Sequence, residues 1–541
     1  MTISMPQCPK VKRTIFSARR PAASICARNR EPLMGAGSRR DVRLVTAGEL
    51  RVVIRGKPSG ESYAGSVRTR KEAWTLSKWV WMFALSMVSS SAWADSICPS
   101  PPPYALLRQD EDYSYLRDPG CKRDFLDPIK FISLSPQKDQ YLTLGGEVRE
   151  WYEGFRNANW GVGPQDRDGY LLQRISTYSD WHLGDGIRFF GQLSSATVDG
   201  RNGGPRPVDE AQLWLEQAFA QFDVPASSSA DVTVRLGRQE FRFGSGRFVD
   251  VRDGPNVRRA FDGVSAVLDI GGWHATALVT RPVLNRPSVF DDPSNTRTTF
   301  WGVYATKAVS SMGGGLDLYY LGINNRQATF DRGMGDEQRH TFGARAYGSK
   351  GNWDYDWELT YQAGNFAGLP LSAYSFATET GYTFKSIPFA PRVSLKAAAT
   401  SGDGGSASGT FGTFSALFPT GIYFGQAAIG LNGAPNLLAL GATFRANLSD
   451  SVQLGIGYDL FWRNSLHDGV YGLAGNLLRT GQESRERYIG DQLSASIVWR
   501  ATRHVDVSLA YAYFFVGPFL TASAIPGRDV QYGSAYVRFK F

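Results

Sequence analysis

Hydrophobic and polar residues alternate along most of the chain after residue 140. Successive side chains of an extended strand point to opposite faces, so this alternation predicts strands with one apolar and one polar face. The stretch 531–541 is an example. One predicted face carries Gly533, Ala535, Val537, Phe539 and Phe541, and the other carries Tyr532, Ser534, Tyr536, Arg538 and Lys540.

The same pattern repeats and predicts eighteen strands. Their predicted ranges are 140–155, 168–183, 187–195, 211–222, 231–240, 259–270, 273–282, 298–308, 314–323, 339–349, 353–364, 371–385, 389–400, 437–448, 451–463, 490–501, 504–515 and 531–541. The count is even, as it is in most bacterial outer-membrane barrels.

The connections between predicted strands alternate in length. Those after strands 2, 6, 10, 14 and 16 are tight, whereas those after strands 1, 3, 5, 7, 9, 13, 15 and 17 are long. Outer-membrane barrels have short turns at one end and long loops at the other, and a soluble sandwich has no reason to keep this alternation. We therefore predict an all-β fold, a single transmembrane antiparallel β-barrel of about 18 strands, closed by its last strand against its first.

Aromatic residues at predicted strand ends fit the interfacial belts of such a barrel. They are Trp181, Trp273, Trp462 and Trp499. Because the barrel strands alternate, the apolar faces are expected to meet lipid and the polar faces to line a lumen.

The residues before the barrel predict export. Arg68, Arg70 and Lys71 precede an apolar run at 79–88, and Ala92-Trp93-Ala94 provides small residues for cleavage. We predict a signal peptide at 67–94, an irregular periplasmic segment at 95–139 and the barrel at 140–541. Residues 1–66 have no apolar periodicity; either the start codon is assigned too far upstream or the segment is an unusually long leader.

Charge and cysteine content narrow the function classes. Residues 1–94 hold 17 basic and 5 acidic residues, which leaves 42 of 59 basic and 45 of 50 acidic residues for the rest. The basic excess therefore belongs to the leader, and nucleic-acid binding is not expected. Cys98 and Cys121 lie in a region exported to an oxidising compartment, where bridged and unbridged forms are both open.

Arginine recurs on the predicted inward faces. The set is Arg149, Arg174, Arg188, Arg235, Arg345, Arg392, Arg445 and Arg500, with Lys396 as the main lysine. A guanidinium matches carboxylates and stays charged, so a lumen lined this way favours anions. Alternatively, these arginines brace the wall by pairing with inward acids. Those acids are Glu147, Asp180, Asp354, Asp356, Glu358 and Asp459.

The densest motif lies between two predicted strands. It runs Leu236-Gly237-Arg238-Gln239-Glu240-Phe241, Gly244-Ser245-Gly246-Arg247, Arg252-Asp253-Gly254-Pro255-Asn256-Val257-Arg258-Arg259 and Phe261-Asp262-Gly263. Glycines and charges at this density indicate a structured loop that ion pairs tie into the lumen.

This motif resembles the hallmark of the alginate-export outer-membrane family. Similar stretches are 142–149, the Leu171-Leu172-Gln173-Arg174 of the second strand, and Phe418-Pro419-Thr420-Gly421 with Tyr423-Phe424-Gly425. The resemblance implies an eighteen-stranded barrel with an arginine-rich constriction, through which anionic polysaccharide leaves a Gram-negative cell, gated by long loops and periplasmic elements.

The resemblance implies site residues. By motif, the pore-lining candidates are Arg149, Arg174, Arg235 and Arg238, and the inward faces of the predicted strands add Arg188, Arg345 and Arg445. The loop-anchoring candidates are Arg247, Arg252, Asp253, Arg258, Arg259 and Asp262. The expected partners are outer-membrane lipid and lipopolysaccharide, anionic polysaccharide or small anions, and periplasmic export proteins.

Three hypotheses follow. The first is export of an alginate-like anionic polysaccharide, the second is an uptake porin for small organic acids or sugars, and the third is an outer-membrane enzyme or adhesin. The five histidines show no metal-binding spacing and there is no Gly-x-Ser-x-Gly elbow; Ser465 with His467 is the nearest approach to a catalytic pair. We therefore expect no catalytic residues, no metal site and no cofactor.

Overall fold

The computed structural model of the protein describes residues 98–541, except 167, 228–229, 421–428 and 430. The predicted signal peptide and the segment 1–66 lie outside the described residues, as do Gly421, Tyr423, Phe424 and Gly425 of the predicted motif. In the part of the chain that is described, no helix combines the length and apolar character needed to cross a membrane.

Eighteen antiparallel strands form the wall of a closed barrel. They are β1 Gln140–Arg156, β2 Tyr170–Leu183, β3 Ile187–Asp199, β4 Ala211–Ser227, β5 Ala230–Gln239, β6 Phe261–Ile270, β7 Trp273–Pro282, β8 Thr298–Val309, β9 Gly314–Phe330, β10 Gly333–Lys350, β11 Trp353–Phe366, β12 Leu369–Thr383, β13 Arg392–Thr400, β14 Leu437–Asn447, β15 Val452–Arg463, β16 Tyr488–Arg500, β17 Val505–Val516 and β18 Val530–Lys540.

Each strand pairs with its neighbour in sequence, and β18 pairs with β1 to close the barrel. In this closing pair Arg538 stands opposite Arg149, and Phe539 stands opposite Val148. Closure leaves no unpaired edge in the wall. The predicted fold class and the predicted strands are therefore confirmed, with boundaries that differ by a few residues at most ends.

The two ends of the barrel differ in their connections. One end, which we call the turn end, carries compact connections such as 184–186, 271–272 and 448–451, and the other, the loop end, carries long ones such as 240–260, 401–436 and 464–487. The prediction of a long connection after strand 9 was wrong. β9 and β10 continue to a turn at Asp331 and Arg332, because ladder pairs form at 324–325 and again at 328–330, on either side of a bulge at 326–327.

The outward faces form an apolar surface around the wall. Many large side chains on it are exposed, including Leu193, Leu236, Val264, Val279, Val303, Leu318, Phe342, Leu359, Phe376, Leu395, Leu440, Ile456, Leu493, Leu509 and Val537. Monomeric soluble proteins rarely expose contiguous apolar area of this kind. Trp181 and Trp499 lie on the same outward surface near the turn end, in agreement with an interfacial belt.

Loops fill part of the interior. Loop 240–260 folds back into the barrel, and Val249 pairs with Phe418 of loop 401–436. The two loops share an apolar cluster with the wall. Its fully buried rings include Phe261, Phe300, Phe411 and Phe414. Apolar residues of these loops therefore hold them inside the barrel.

The residues before β1 occupy the turn end. They form helical turns at Arg108–Asp110, Ser114–Arg117, Pro119–Cys121 and Asp127–Lys130, and Ile132–Ser133 pairs with β1. A disulfide joins Cys98 and Cys121, which decides between the bridged and unbridged forms left open by the sequence. We call residues 98–131 the N-terminal segment.

Short elements complete the loops. These are helical turns at Ala158–Gly161, Ser310–Met312, Gly481–Glu483 and Pro518–Thr521, and a small hairpin of Val470–Tyr471 with Leu477–Arg479.

Candidate functional site in the barrel lumen

A row of charged residues crosses the inner wall on five adjacent strands. In the strand register, Arg174 of β2 stands opposite Arg149 of β1, which stands opposite Arg538 of β18. The row continues through Asp506 to Arg500. Because directly opposed residues in a sheet point to the same face, four arginines gather on one side of the lumen. We call this set the arginine row.

Loop 240–260 crosses the lumen and contacts this row at one of its ends. Its Asp253 accepts a hydrogen bond from Arg174 Nη2 at 2.6 Å and one from Arg538 Nη1 at 3.1 Å. Its Arg247 Nη1 reaches the other side of the barrel, 2.7 Å from Asp356 and 3.0 Å from Glu358 on β11. The loop therefore spans the lumen and narrows it, which makes it a constriction.

Asp253 is the acidic centre of the constriction. Burial acts to raise the pKa of Asp253, but the guanidinium groups of Arg174 and Arg258 more than offset this, so the pKa lies well below its usual value. Glu147 also pairs with Arg174, at 2.6 Å. Asp253 thus joins loop 240–260 to β2 and β18.

Arg149 holds the same loop through backbone oxygens. Its guanidinium donates to the carbonyl oxygens of Asp253 at 2.7 Å and Pro255 at 3.1 Å, and it stacks over Trp151. Among the described residues it has no carboxylate partner within 4 Å. The positive charge of Arg149 is therefore only partly compensated.

Arg258 joins three parts of the molecule. Its guanidinium lies 2.8 Å from Glu240 and 3.2 Å from Glu216, and it donates to the carbonyl oxygen of Leu106 at 2.9 Å. Leu106 belongs to the N-terminal segment. Loop 240–260, the wall at β4 and the N-terminal segment therefore meet at one buried guanidinium.

Arg252 and Arg259, the other predicted loop anchors, hold the loop to carbonyl groups. Arg252 donates to Val257, and Arg259 donates to Asp250 and to Pro419 of loop 401–436. Burial lowers the pKa of Arg252 to about 10, with Arg206 as a further positive charge nearby.

The inward acids named by the bracing alternative all have basic partners. The pairs are Glu147 with Arg174, Asp180 with Arg188, Asp354 with Arg392, Asp356 with Arg345 and Arg247, Glu358 with Arg247, and Asp459 with Lys396. Arg188 and Arg345, two of the predicted pore-lining residues, thus pair with acids of the wall.

The prediction that Arg238 lines the pore was wrong. Arg238 stands opposite Asp262, in the same face as Leu236 and Val264, which are exposed on the outer surface. Arg235 lies three residues earlier and so faces the lumen, because strand side chains alternate. Arg238 pairs with Asp262 at 2.7 Å and donates to Asp292, so this pair anchors loop 283–297 outside the wall rather than loop 240–260.

A second register row has small side chains. Gly455, Ser496, Ala510 and Ser534 stand opposite one another across β15 to β18. Arg445 stands next in this row, opposite Gly455, and is exposed. Arg500 is exposed near the turn end as well. Within the described residues neither has an ion-pair partner within 4 Å, and the four small residues of this row are half-buried and project little into the lumen.

The N-terminal segment contributes residues that sequence reasoning missed. Arg108 pairs with Glu111 at 2.7 Å and with Glu147 at 3.2 Å, and the carbonyl oxygen of Gln109 accepts from Arg188 at 2.7 Å. These residues occur in an aperiodic stretch without a motif, and their wall partners are distant in sequence. No sequence signal marked them as lumen residues.

Comparisons with known proteins agree with this architecture. The sequence model of the alginate-export family matches residues 140–530. No curated protein matches the sequence.

Solved structures share the fold at low identity. OccAB1 of Acinetobacter baumannii is 12% identical, with a TM-score of 0.51 over 74% of this chain and 96% of its own. A BenF-like porin from Pseudomonas fluorescens Pf-5 is 10% identical, with a TM-score of 0.50 over 74% and 98%. OccK8 (OprE) of Pseudomonas aeruginosa is 11% identical, with a TM-score of 0.50 over the same shares.

Proposed function

Since the chain belongs to the alginate-export family and is an outer-membrane channel of Gram-negative bacteria, we propose that it passes anionic solutes and that its physiological cargo is a carboxylated polysaccharide leaving the cell. In this orientation the turn end faces the periplasm and the loop end faces outward. The N-terminal segment then lies in the periplasmic mouth.

The arginine row is the observation that carries this proposal. Arg149 and Arg500 have no carboxylate partner among the described residues, and Arg538 is partly exposed beside Asp253. Guanidinium groups in a narrow, low-dielectric lumen attract carboxylates and repel cations. Arg174 and Arg149 are buried against loop 240–260, so the guanidinium groups that an anionic chain can contact in turn are those of Arg538, Arg500 and Arg445.

The side of the lumen that is lined by small residues favours passage of an extended polymer. The row of Gly455, Ser496, Ala510 and Ser534 offers little steric obstruction, and Arg445 stands at its edge. Small organic acids would use the same groups, so an uptake porin is the second candidate function. The OccAB1, OccK8 and BenF-like structures share the fold alone.

The family and the fold are those of channels, and we propose that this protein is not an enzyme. Ser465 Oγ donates to the carbonyl oxygen of Asp403, and His467 contacts Ser465 through its backbone nitrogen. Within the described residues, one cluster has the side-chain types and spacing of a metal site, namely Cys98, Asp118 and Cys121. Its two cysteines are joined in the disulfide, so their thiolates are not available to a metal ion.

Current block by soluble polyuronate tests the cargo. In planar bilayers, oligomers of uronic acid added to the periplasmic side are expected to interrupt the current at micromolar concentrations, whereas neutral oligosaccharides of equal length leave it unchanged. Block by small organic acids alone, without block by the oligomers, would favour the uptake porin.

A further inference from the structure

A cavity separates the N-terminal segment from part of the wall. Its volume is about 460 Å³, within the range of small-molecule sites. β5 to β8 form one side, Gln109 and Asp110 form the other, and the first residues of loop 240–260 form its inner end. His274 and Asp269, which flank the turn at 271–272, lie at its outer edge, so the cavity reaches the turn end of the barrel.

Two arginines in this cavity have guanidinium groups with spare donors. Arg235 Nε donates to Gln221 at 2.9 Å, and among the described residues Arg235 has no carboxylate partner within 4 Å. The Arg242 side chain is 39% exposed and lies 3.6 Å from Asp250, too far for a hydrogen bond. Both guanidinium groups can therefore receive a further acceptor.

The other acids of the cavity are already paired. Glu240 binds Arg258 at 2.8 Å, and Asp269 lies 2.7 Å from His274. Asp110 is the exception, because it is exposed and has no ion pair within 4 Å among the described residues. The N-terminal segment thus places a carboxylate without an ion pair in a cavity that also holds two arginines. Arg235 has no ion pair within 4 Å among the described residues, and Arg242 has a long one, to Asp250.

Electrostatic coupling links Asp110 to the wall. Although its side chain is exposed to the water of the cavity, the surrounding protein desolvates the carboxylate and raises the pKa of Asp110, and the charges of Arg235 and Arg188 oppose this shift. Arg188 also donates to the carbonyl oxygen of the preceding residue, Gln109, at 2.7 Å. Attraction between Asp110 and Arg235 therefore acts together with this hydrogen bond to hold the N-terminal segment against the wall.

The neutral lining suits a sugar. Thr276 and Thr306 contribute hydroxyl groups, and Phe241 and Phe243 contribute rings at the inner end. Hydroxyl groups exchange hydrogen bonds with sugar hydroxyls, and aromatic rings pack against apolar ring faces. A ligand with one carboxylate and several hydroxyl groups would match both halves of this chemistry.

We propose that the cavity is a binding site for a hexuronic acid or the uronate end of a chain, whose carboxylate binds Arg235 and Arg242 in competition with the nearby Asp110. The occupant contacts the N-terminal segment, so its binding loosens that segment from the wall. The choice of a uronate as ligand rests on the proposed function, whereas its binding to this cavity can be measured without transport.

Isothermal titration calorimetry on the purified full chain in detergent tests the site. The probe is D-glucuronate, with D-glucose as the neutral comparison. Asp110→Asn removes the competing carboxylate and is expected to tighten glucuronate binding severalfold, and Arg235→Gln is expected to weaken it about tenfold or more. Arg281→Gln, on the outward face of β7, is the matched control and should leave binding unchanged.

Because Asp110→Asn should tighten glucuronate binding and Arg235→Gln should weaken it, a general loss of folding cannot produce both results. Folding of each variant is checked by its heat-dependent migration in gels, and Asp110 is exposed enough to be replaced without loss of the barrel. Absence of glucuronate binding to the wild-type chain, or equal affinity in wild type and both variants, would overturn the proposal. A cation-selective channel that still binds glucuronate would overturn the proposed function and leave this site standing.

Discussion

The Nη2 atom of Arg258 lies 2.9 Å from the carbonyl oxygen of Leu106. Arg258 belongs to a loop that enters the barrel from the loop end, and Leu106 belongs to the segment that enters from the turn end. The two inserts therefore meet inside the lumen, and a change in one is transmitted directly to the other.

Arg258→Gln should loosen both inserts. The substitution leaves Glu240 and Glu216 buried without their cation, and breaking such a buried pair costs about 3–5 kcal/mol. We expect a lower unfolding temperature and faster proteolysis of the N-terminal segment. Arg242→Gln, in the same loop but more exposed, should change stability by less than about 0.5 kcal/mol. Equal behaviour of the two variants would contradict this.

Removing the disulfide should free the N-terminal segment without opening the barrel. Cys98→Ser with Cys121→Ser removes a crosslink of sequence separation 23, worth about 3 kcal/mol in the chain-entropy account. We expect protease cleavage within 98–131 and a larger single-channel conductance, while the barrel keeps its melting temperature. An unchanged conductance would mean that this segment does not restrict the lumen.

Lys130 should make attachment of the N-terminal segment depend on pH. Burial lowers its pKa to about 8, against an ordinary value of 10.5. The detached state then binds more protons between these values, so attachment strengthens as pH rises from about 8 to about 10.5, by up to about 3 kcal/mol. Burial raises the pKa of Tyr104 and of Tyr113 in the attached segment, whereas in the detached segment both titrate near about 10, so their ionisation opposes the effect of Lys130 as the pH approaches 10.

Protection of residues 98–131 from protease at pH 7, 8, 9 and 10 measures this effect. Lys130→Met should abolish the rise in protection, since it removes the titrating amine. The same rise in wild type and variant would assign the pH dependence to another group.

Arg238→Ala should leave ion selectivity unchanged, because this guanidinium lies on the outer face of the wall with Asp262. We expect loop 283–297 to become more accessible to protease, since Arg238 also donates to Asp292. A shift in reversal potential as large as that of a lumen variant would restore Arg238 to the pore.

The sequence predicted the wall better than its contents. Strand alternation is a local property, so all eighteen strands and the inward faces of Arg149 and Arg174 followed from it. The alternation also places Arg235 and Arg238 on opposite faces, but the motif resemblance grouped them together. The parts of β9 and β10 nearest the loop end were missed, because these parts are polar and lack alternation.

The lumen contents depend on contacts between distant residues. Leu106 and Arg258 are separated by 152 positions, and Asp253 joins strands from both ends of the chain. Neither the position of the N-terminal segment nor the meeting of the two inserts has a local pattern that could predict it.

The zero-current potential in planar bilayers under a potassium chloride gradient tests the central claim most directly. The wild-type channel should prefer chloride, and Arg445→Glu combined with Arg500→Glu should reduce or reverse that preference without unfolding the barrel. A wild-type channel that prefers potassium, or a folded protein that forms no steady pore, would contradict an arginine-lined path for anions.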